Sequence, residues 1–376
     1  MAKRKGKSRR RVKDWNQQYR RHDDAADHAA TRGKTSRRGV KLPPSRLDAP
    51  EEDLEHLPKA EGLVVNVSRR GAYVRVEGHD EELFCAIAKT FRAPENATLL
   101  TVGDAVTVAL TTGQTEGRTE IDRERMDGFI VTRAPRETLL SRPQPMSGKR
   151  RDEYSDETFE KVIAANMDIL LIVASTRQPP LRHGLIDRFL IIAERGEMTP
   201  VLVINKIDLG RPDERVLGGF VELGVEILMV SAETNEGLAE LRRRLAGSRS
   251  VLAGASGVGK STLINAMIPE ADAATNTVRQ KDQRGRHTTT SALIYDLPEG
   301  GMVVDTPGIR ELGMAIPPRE LPWFFPEFEE IAQQCKFNDC THTHEPQCAV
   351  QAAVASGEIS PRRYESYLRI LDTLEE

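Results

Sequence analysis

The sequence predicts a multidomain chain: a small all-β barrel, then an α/β domain, then a C-terminal helical metal-binding module. Three observations support this fold class. Short valine-rich runs follow Gly62, continuous apolar runs then alternate with helical segments, and three of the four cysteines lie together near the C-terminus. A chain of 376 residues also exceeds what one hydrophobic core usually organises, so several cores are expected.

Residues 1–58 are predicted to be a basic, mostly disordered arm and linker. Residues 1–41 hold 15 lysines and arginines against 4 acidic residues, although the whole chain has a net charge of -3. Few apolar residues are available there to build a core. A basic arm on an acidic body favours contact with a polyanion such as nucleic acid over a merely solvated tail.

The sequence also predicts a cytoplasmic protein that does not cross a membrane. No stretch approaches the roughly 18 consecutive apolar residues that a membrane span requires. The chain begins MAKRKGKSRRR, without the apolar segment and cleavage site of a secretory signal. In a reducing cytosol, clustered cysteines indicate metal binding rather than disulfides.

Residues 59–134 are predicted to form a barrel. The runs GLVVNVS, AYVRVEG, ELFCAIA, AVTVAL and GFIVTR are rich in strand formers and are separated by Gly, Asp or charged residues. Five such runs fit an oligonucleotide-binding (OB) fold, although the pattern does not distinguish it from other small barrels. Cys85 lies in one run and is interpreted as a core residue. The polar residues 135–158 are interpreted as a linker.

Residues 159–312 are predicted to form an α/β domain with a parallel sheet, because apolar strands such as MDILLIVAS and PVLVINK alternate with helical patterns. Within it, GASGVGKS matches the phosphate-loop pattern between a strand and a helix start. The loop amides and the helix N-terminus favour phosphate oxygens. Lys260 is expected to act on the β- and γ-phosphates as a catalytic group, and Ser261 to bind magnesium. The predicted phosphate-binding residues are Gly254, Ala255, Ser256, Gly257, Val258, Gly259, Lys260, Ser261 and Thr262.

The motif DTPG, residues 305–308, closes the strand MVVD. Asp305 is expected to reach magnesium through water, and Gly308 to let the backbone approach the γ-phosphate. The polar residues 275–290 end in GRHTTT and are typical of a switch loop, in which Thr289 is the preferred third magnesium group.

The motif NKID follows the strand VLVI and predicts guanine specificity. The carboxylate of Asp208 can accept from guanine N1 and from the exocyclic amine, a donor pair that adenine lacks. Lys206 is expected to cover the purine plane, and Asn205 to tie this loop to the phosphate loop. A backbone amide after the next strand can reach guanine O6; the residues there are Ser231, Ala232 and Glu233.

These motifs occur in circularly permuted order. Ordinary GTPases place the phosphate loop first and the base loop late, whereas here the base loop and SAE precede the phosphate loop, the switch segment and DTPG. All these loops emerge at the carboxyl ends of parallel strands, so the pocket depends on strand position rather than chain order. The α/β domain is therefore predicted to be a circularly permuted P-loop GTPase that converts GTP to GDP and phosphate.

The C-terminal residues 313–376 contain the spacing C-x4-C-x-H-x5-C. Three thiolates and one imidazole form a complete tetrahedral set for one structural zinc ion and leave no position open for catalysis. The predicted ligands are Cys335, Cys340, His342 and Cys348, with His344 as an alternative imidazole.

Over roughly residues 60–376 the chain resembles the ribosome small-subunit-dependent GTPase A family, a group of bacterial ribosome-biogenesis factors. The resemblance is carried by AANMD (164–168), NKID, GASGVGKST, GRHTTT, DTPG and CKFNDCTHTHEPQCAV. It implies an N-terminal OB barrel, a permuted GTPase domain and a helical zinc module in which His342 matches the ligand pattern.

The resemblance also implies slow GTP hydrolysis stimulated by the small (30S) ribosomal subunit during its late maturation. The expected partners are GTP or GDP, the small subunit and its rRNA, and the expected state is a monomer. Ile309 follows DTPG, where many GTPases place the glutamine that orients the attacking water. His287, two residues before Thr289, is expected to take that catalytic role.

Two other functions stay open from the sequence. In one, the chain is an RNA-binding assembly scaffold whose nucleotide chiefly stabilises the fold; the complete magnesium and switch set favours the enzyme. In the other, the GTPase acts on a different RNA or protein, because a basic arm and a barrel specify affinity for polyanions rather than for the ribosome.

Overall fold

The computed structural model describes residues 54–68, 71–91, 98–111, 126–143, 160–268, 292–306, 313–314 and 316–375. Nearly all of the predicted basic arm lies outside these ranges. Within them the chain forms a closed β-barrel, a larger mixed sheet, a two-stranded sheet and a helical C-terminal region. None of the helices in the described part of the chain has the length and apolarity needed to cross a bilayer.

The predicted barrel is confirmed as a closed, OB-like sheet of five described strands in the order β1-β2-β3-β5-β4. Alternating residues of these strands point inward, so Val64, Val74 and Val108 are fully buried. Cys85 is also fully buried, as expected of a core residue. The strands are β1 (Lys59–Val67), β2 (Gly71–Val76), β3 (Leu83–Ile87), β4 (Ala105–Leu110) and β5 (Gly128–Arg133).

A hairpin connects the barrel to the rest of the chain. Strand β6 (Leu139–Pro143) pairs antiparallel with β7 (Glu160–Ala165), and the barrel loop before β4 contacts β7 where the Thr101 hydroxyl donates to the carbonyl of Ile163 at 2.7 Å. Strand β6 therefore lies within the segment predicted as a linker. LLSRP is short and borders polar sequence, so its strand character depends on a partner many residues away. The domain boundaries themselves stay a prediction.

The second sheet has the described strand order β10-β9-β8-β11-β13-β12. Strands β8 to β11 and β13 are parallel, and β12 pairs antiparallel with β13. Every residue of the central strand β8 is buried, because helices cover both faces of the sheet. The strands are β8 (Ile169–Ser175), β9 (Thr199–Asn205), β10 (Glu226–Met229), β11 (Arg249–Ala253), β12 (Leu293–Asp296) and β13 (Met302–Asp305).

Helices connect these strands and divide the apolar residues into two cores. One core packs between the sheet and the helices Leu238–Leu245 and Lys260–Met267, and the other between the sheet, the helices His183–Arg195 and Glu214–Glu222, and the C-terminal helices. The connecting helices are α1 (His183–Arg195), α2 (Glu214–Glu222), α3 (Leu238–Leu245) and α4 (Lys260–Met267). The C-terminal helices are α5 (Glu329–Ala332), α6 (Ala349–Ser356) and α7 (Pro361–Glu375).

The C-terminal region shares its core with α1. Tyr367 of α7 is fully buried, with its ring edge against Phe325 and Phe328. Burying side chains of this size contributes about 1.5–3 kcal/mol each. The same helix carries Arg363, whose guanidinium pairs with Asp187 of α1. The C-terminal helices are therefore part of the packed body rather than a separate appendage.

Candidate nucleotide site and metal cluster

The carboxyl ends of the parallel strands bring the predicted nucleotide motifs to one edge of the sheet. Strand β9 ends at Asn205, β11 ends at Ala253 and β13 ends at Asp305. Since parallel strands end on the same edge, the base loop, the phosphate loop and the start of DTPG meet there. The permuted chain order therefore still brings these three loops to one edge of the sheet.

The phosphate loop has a backbone path that requires glycine at two positions. Gly254 has φ +146, and a Cβ there would lie 2.2 Å from the carbonyl oxygen of Val173. Gly259 has φ +93, and a Cβ there would lie 2.5 Å from Nδ2 of Asn205. Gly259 is also the N-cap of α4, so the unpaired amides of the first helical turn face the loop. The loop therefore forms a cradle suited to an anion.

The side chains of this loop divide into buried and exposed sets. Val258 is buried and anchors the loop to the core below it. Lys260 Nζ donates to the carbonyl oxygens of Gly254 at 2.7 Å and Ala255 at 2.8 Å, so its ammonium lies across the loop. The exposed positions, available to phosphate oxygens or a cation, are Ser256, Gly257, Ser261 and Thr262.

Asp305 lies at the end of β13, half-buried beside the phosphate loop. Strand β13 pairs with β11 in a register that places Val304 opposite Val251, two residues before the end of β11 at Ala253. An acidic group in this place and the exposed hydroxyl of Ser261 are oxygen donors of the kind that Mg²⁺ prefers. Both groups are therefore candidates for binding a cation beside bound phosphates.

Asn205 joins three loops through its buried amide, which is 1% exposed. Its Nδ2 donates to the carbonyl of Val258 at 3.0 Å, in the phosphate loop. Its Oδ1 accepts from the amides of Lys206 at 2.8 Å and Ala232 at 3.1 Å. Because one side chain satisfies groups from all three loops, removing it leaves buried polar groups unpaired.

Asp208 is held at the pocket rim. The hydroxyl of Ser231 donates to its Oδ1 at 2.6 Å, and Asp208 and Glu233 are exposed at the surface. Lys206 has a left-handed backbone with φ +64, and its Nζ donates to the carbonyl of Gly257 at 2.7 Å. The aliphatic stem of the lysine therefore extends from the base loop toward the phosphate loop, where it can cover a purine.

None of the predicted motifs includes residues 175–180, which are the last residue of β8 and the segment that follows it. Thr176 donates from its hydroxyl to the carbonyl of Lys206 at 2.9 Å, and Lys206 Nζ donates to the carbonyl of Gln178 at 2.5 Å. The sequence did offer one signal for this segment. It follows β8, a buried parallel strand that ends at the same edge of the sheet as the predicted loops.

Four predicted features lie outside the described residues: the segment 275–290, His287, Thr289 and Gly308. Their roles stay predictions.

The four predicted metal ligands converge. One ligand atom each of Cys335, Cys340, His342 and Cys348 lies within 4.8 Å of all the others. The Sγ atoms of Cys335 and Cys348 are 3.9 Å apart, and His342 Nδ1 lies 3.6 and 3.5 Å from them. A tetrahedral zinc site requires about 3.8 Å between thiolates and about 3.5 Å from thiolate to imidazole. The donor set therefore fits a tetrahedral metal ion.

The alternative ligand His344 stands apart from this cluster. It is exposed, and its Nδ1 lies 2.8 Å from the hydroxyl oxygen of Thr343. His342 is 3% exposed and points its Nδ1 at the thiols. The geometry brings His342, rather than His344, to the cysteines.

Burial controls protonation within the cluster. It raises the pKa of the Cys340 thiol to about 12 and also raises the pKa of Cys348. It lowers the pKa of His342. Neutral thiols must lose their protons to a cation, so metal binding here releases protons.

The loop that carries His342 is held on two sides. His342 has φ +60, and its carbonyl accepts from the hydroxyl of Tyr364 at 2.7 Å. On the other side, Glu345 accepts from the amide of Thr341 at 2.7 Å and from the amide of Thr343 at 3.0 Å. Burial alone would raise the pKa of Glu345, but the bonds from Thr341 and from nearby amides hold that pKa well below its usual range.

A glycine-rich phosphate loop and a guanine-type base loop, carried in permuted order on a parallel sheet, define a circularly permuted GTPase. The sequence model of the RsgA GTPase family matches residues 133–315. The small ribosomal subunit biogenesis GTPase RsgA of Chlorobaculum parvum is 38% identical over 319 residues, which cover 84% of this chain and 98% of that protein. The chain therefore belongs to the RsgA family of GTPases, and it is a GTP-hydrolysing enzyme.

Another relative and two solved structures support the same family assignment. The RsgA protein of Haemophilus influenzae is 36% identical over 323 residues, covering 84% of this chain and 85% of that protein. Among solved structures, YjeQ from Thermotoga maritima superposes with a TM-score of 0.59 at 34% identity and covers 84% of this chain and 99% of its own. YloQ, a circularly permuted GTPase, has a TM-score of 0.57 at 27% identity, with 87% and 98% covered.

Proposed function

We propose that this chain is a nucleotide-dependent switch in late maturation of the small (30S) ribosomal subunit, binds its rRNA, and is stimulated by the subunit. The observation that carries the proposal is the assembled junction of base loop, phosphate loop and SAE loop around Asn205. It occurs in a chain aligned with 98% of a relative named for small-subunit biogenesis. RNA contact is assigned to the basic sequence of residues 1–41 and to the barrel.

We assign the nucleotide contacts as follows. Asp208 accepts hydrogen bonds from guanine N1 and the exocyclic amine, and Lys206 covers the purine plane. The SAE loop approaches guanine O6 through a backbone amide. The amides of residues 254–262 and Lys260 hold the phosphates, with Lys260 near the γ-phosphate where charge develops. His287 orients the attacking water.

Ser261, Thr289 and Asp305 are the groups that would hold magnesium, and a bound magnesium ion supplies charge neutralisation at the β- and γ-oxygens. The Cys₃His cluster would hold one zinc ion in a structural role, because its four protein ligands fill a tetrahedron. The proposed location is the cytoplasm, and the proposed state is a monomer that binds GTP or GDP.

The proposal is tested by GTP turnover of the purified protein with and without small ribosomal subunits. Large subunits and free RNA serve as controls for charge, and Lys260→Ala serves as the control for the site. Strong stimulation by small subunits alone supports the switch. Equal, slow turnover in every mixture would instead favour a GTP-binding scaffold or a different partner.

A further inference from the structure

Residues 175–180, here named the clamp segment, fold back at the end of β8. Ser175 is 1% exposed, and its hydroxyl donates to the carbonyl of Pro179 at 2.7 Å. Gln178 has φ +54, a region that a non-glycine residue occupies only where its surroundings hold it. The segment therefore has a defined, strained shape that its contacts maintain.

The clamp segment holds both ends of Lys206. At the backbone end, the amide of Thr176 donates to the carbonyl of Asn205 at 3.2 Å, and the Thr176 hydroxyl donates to the carbonyl of Lys206 at 2.9 Å. At the side-chain end, Lys206 Nζ donates to the carbonyl of Gln178 at 2.5 Å. One short segment thus fixes the left-handed backbone of Lys206 and the direction of its ammonium.

The same segment reaches the phosphate loop. Pro179 Cδ lies 3.6 Å from where a Cβ on Gly257 would be, and the carbonyl of Gly257 shares the Lys206 ammonium with Gln178. A small cavity beneath is lined by both elements, including Pro179, Ala255 and Val258. The clamp segment therefore bridges the base loop and the phosphate loop from outside.

A lysine has four rotatable side-chain bonds, and ordering it costs entropy when a ligand arrives. A side chain already held in its bound direction avoids that cost at binding. We propose that Thr176 is a positioning residue of the base site, which preorganises Lys206 over the purine and so sets affinity for guanine nucleotides. The inference rests on the proposed role of Lys206 and adds a residue that none of the motifs contains.

The test measures GDP affinity of the full chain by isothermal titration. Thr176→Val removes the hydroxyl and keeps the shape, and we expect GDP affinity to fall about three- to tenfold, the effect of one lost hydrogen bond. Thr176→Ser keeps the hydroxyl and is expected to restore affinity. Thr199→Val makes the same change at the exposed, opposite end of β9 and is expected to leave affinity unchanged.

A double-mutant cycle with Lys206→Ala separates positioning from general structure. If Thr176 acts through Lys206, Thr176→Val has no further effect in the Lys206→Ala background. An equal loss in both backgrounds overturns the inference. If Lys206→Ala weakens GDP binding and Thr176→Val does not, the inference fails while the proposed base site stands. If Lys206→Ala changes nothing, both fail.

Discussion

Arg363 links the C-terminal helix α7 to helix α1, and its removal should destabilise the protein more than removal of an exposed arginine. The residue is 8% exposed and pairs with Asp187 of α1, which is 1% exposed, and with Glu327, whose Oε1 lies 2.6 Å from Arg363 Nε. Its guanidinium also lies 4.6 Å from the centre of the Phe325 ring. All of these partners remain when the guanidinium is removed.

The expected magnitude follows from the burial of Asp187. Arg363→Met keeps the apolar stem but leaves the Asp187 carboxylate buried without its counter-charge, which typically costs about 3–5 kcal/mol. Arg369→Met is the matched control on the same helix, because its side chain is 73% exposed and its i,i+4 partner Glu365 is 58% exposed. Exposed pairs of this kind contribute about 0.3–0.5 kcal/mol.

Urea unfolding followed by circular dichroism measures both variants against the parent chain. The double variant Arg363→Met with Asp187→Asn also removes the unpaired carboxylate charge of Asp187. It should therefore recover part of the lost free energy of unfolding. If Arg363→Met lowers the free energy of unfolding no more than Arg369→Met does, the buried pair does not stabilise the packing of α7 on α1, and the reasoning is refuted.

Two further predictions concern the two sites. Gly259→Ala should lower GDP affinity about tenfold, because its Cβ would lie 2.5 Å from Nδ2 of Asn205 and the backbone there has φ +93. Isothermal titration checks this. Gly218→Ala, whose Cβ would meet no atom within 4 Å, should leave GDP affinity unchanged. Glu345→Gln should lower zinc affinity about tenfold in chelator competition, because the loop at Thr341 loses its ionised acceptor. Since the folded-state pKa of Glu345 is lowered, its contribution to stability is complete above pH 4.5 and declines as the pH falls below that value. The stability difference between the parent chain and Glu345→Gln should therefore shrink in acid, and equal zinc affinity at neutral pH would contradict the assigned role.

Local patterns were sufficient to predict the barrel, the parallel sheet and the positions of the motifs. A phosphate loop needs glycines at fixed offsets, and buried parallel strands read as apolar runs, so both leave a signal within a few residues. The four metal ligands likewise lie within 14 residues of sequence, from Cys335 to Cys348. The phosphate loop, the buried strands and the metal ligands can each be predicted from a short stretch of sequence, because the residue types and spacing that they require lie within that stretch.

The features that could not be predicted depend on distant partners. Strand β6 exists because β7 pairs with it, and LLSRP alone has no distinctive pattern. Thr176 reaches Lys206 only because β8 and β9 are neighbours in the sheet. The pairing of Arg363 with Asp187 joins residues 176 positions apart. A periodic pattern of apolar residues does not predict such contacts, since they depend on which strands and helices become neighbours in the fold.

The shared core beneath α7 has a mechanical consequence. Arg188 of α1 donates to the hydroxyl of Thr373 at 2.7 Å, so the two helices are joined at a second point besides Arg363. The clamp segment ends at residue 180, and helix α1 begins at His183. A force on the last helix would therefore act on α1 through these two contacts, and residues 181–182 connect α1 to the clamp segment that contacts Lys206.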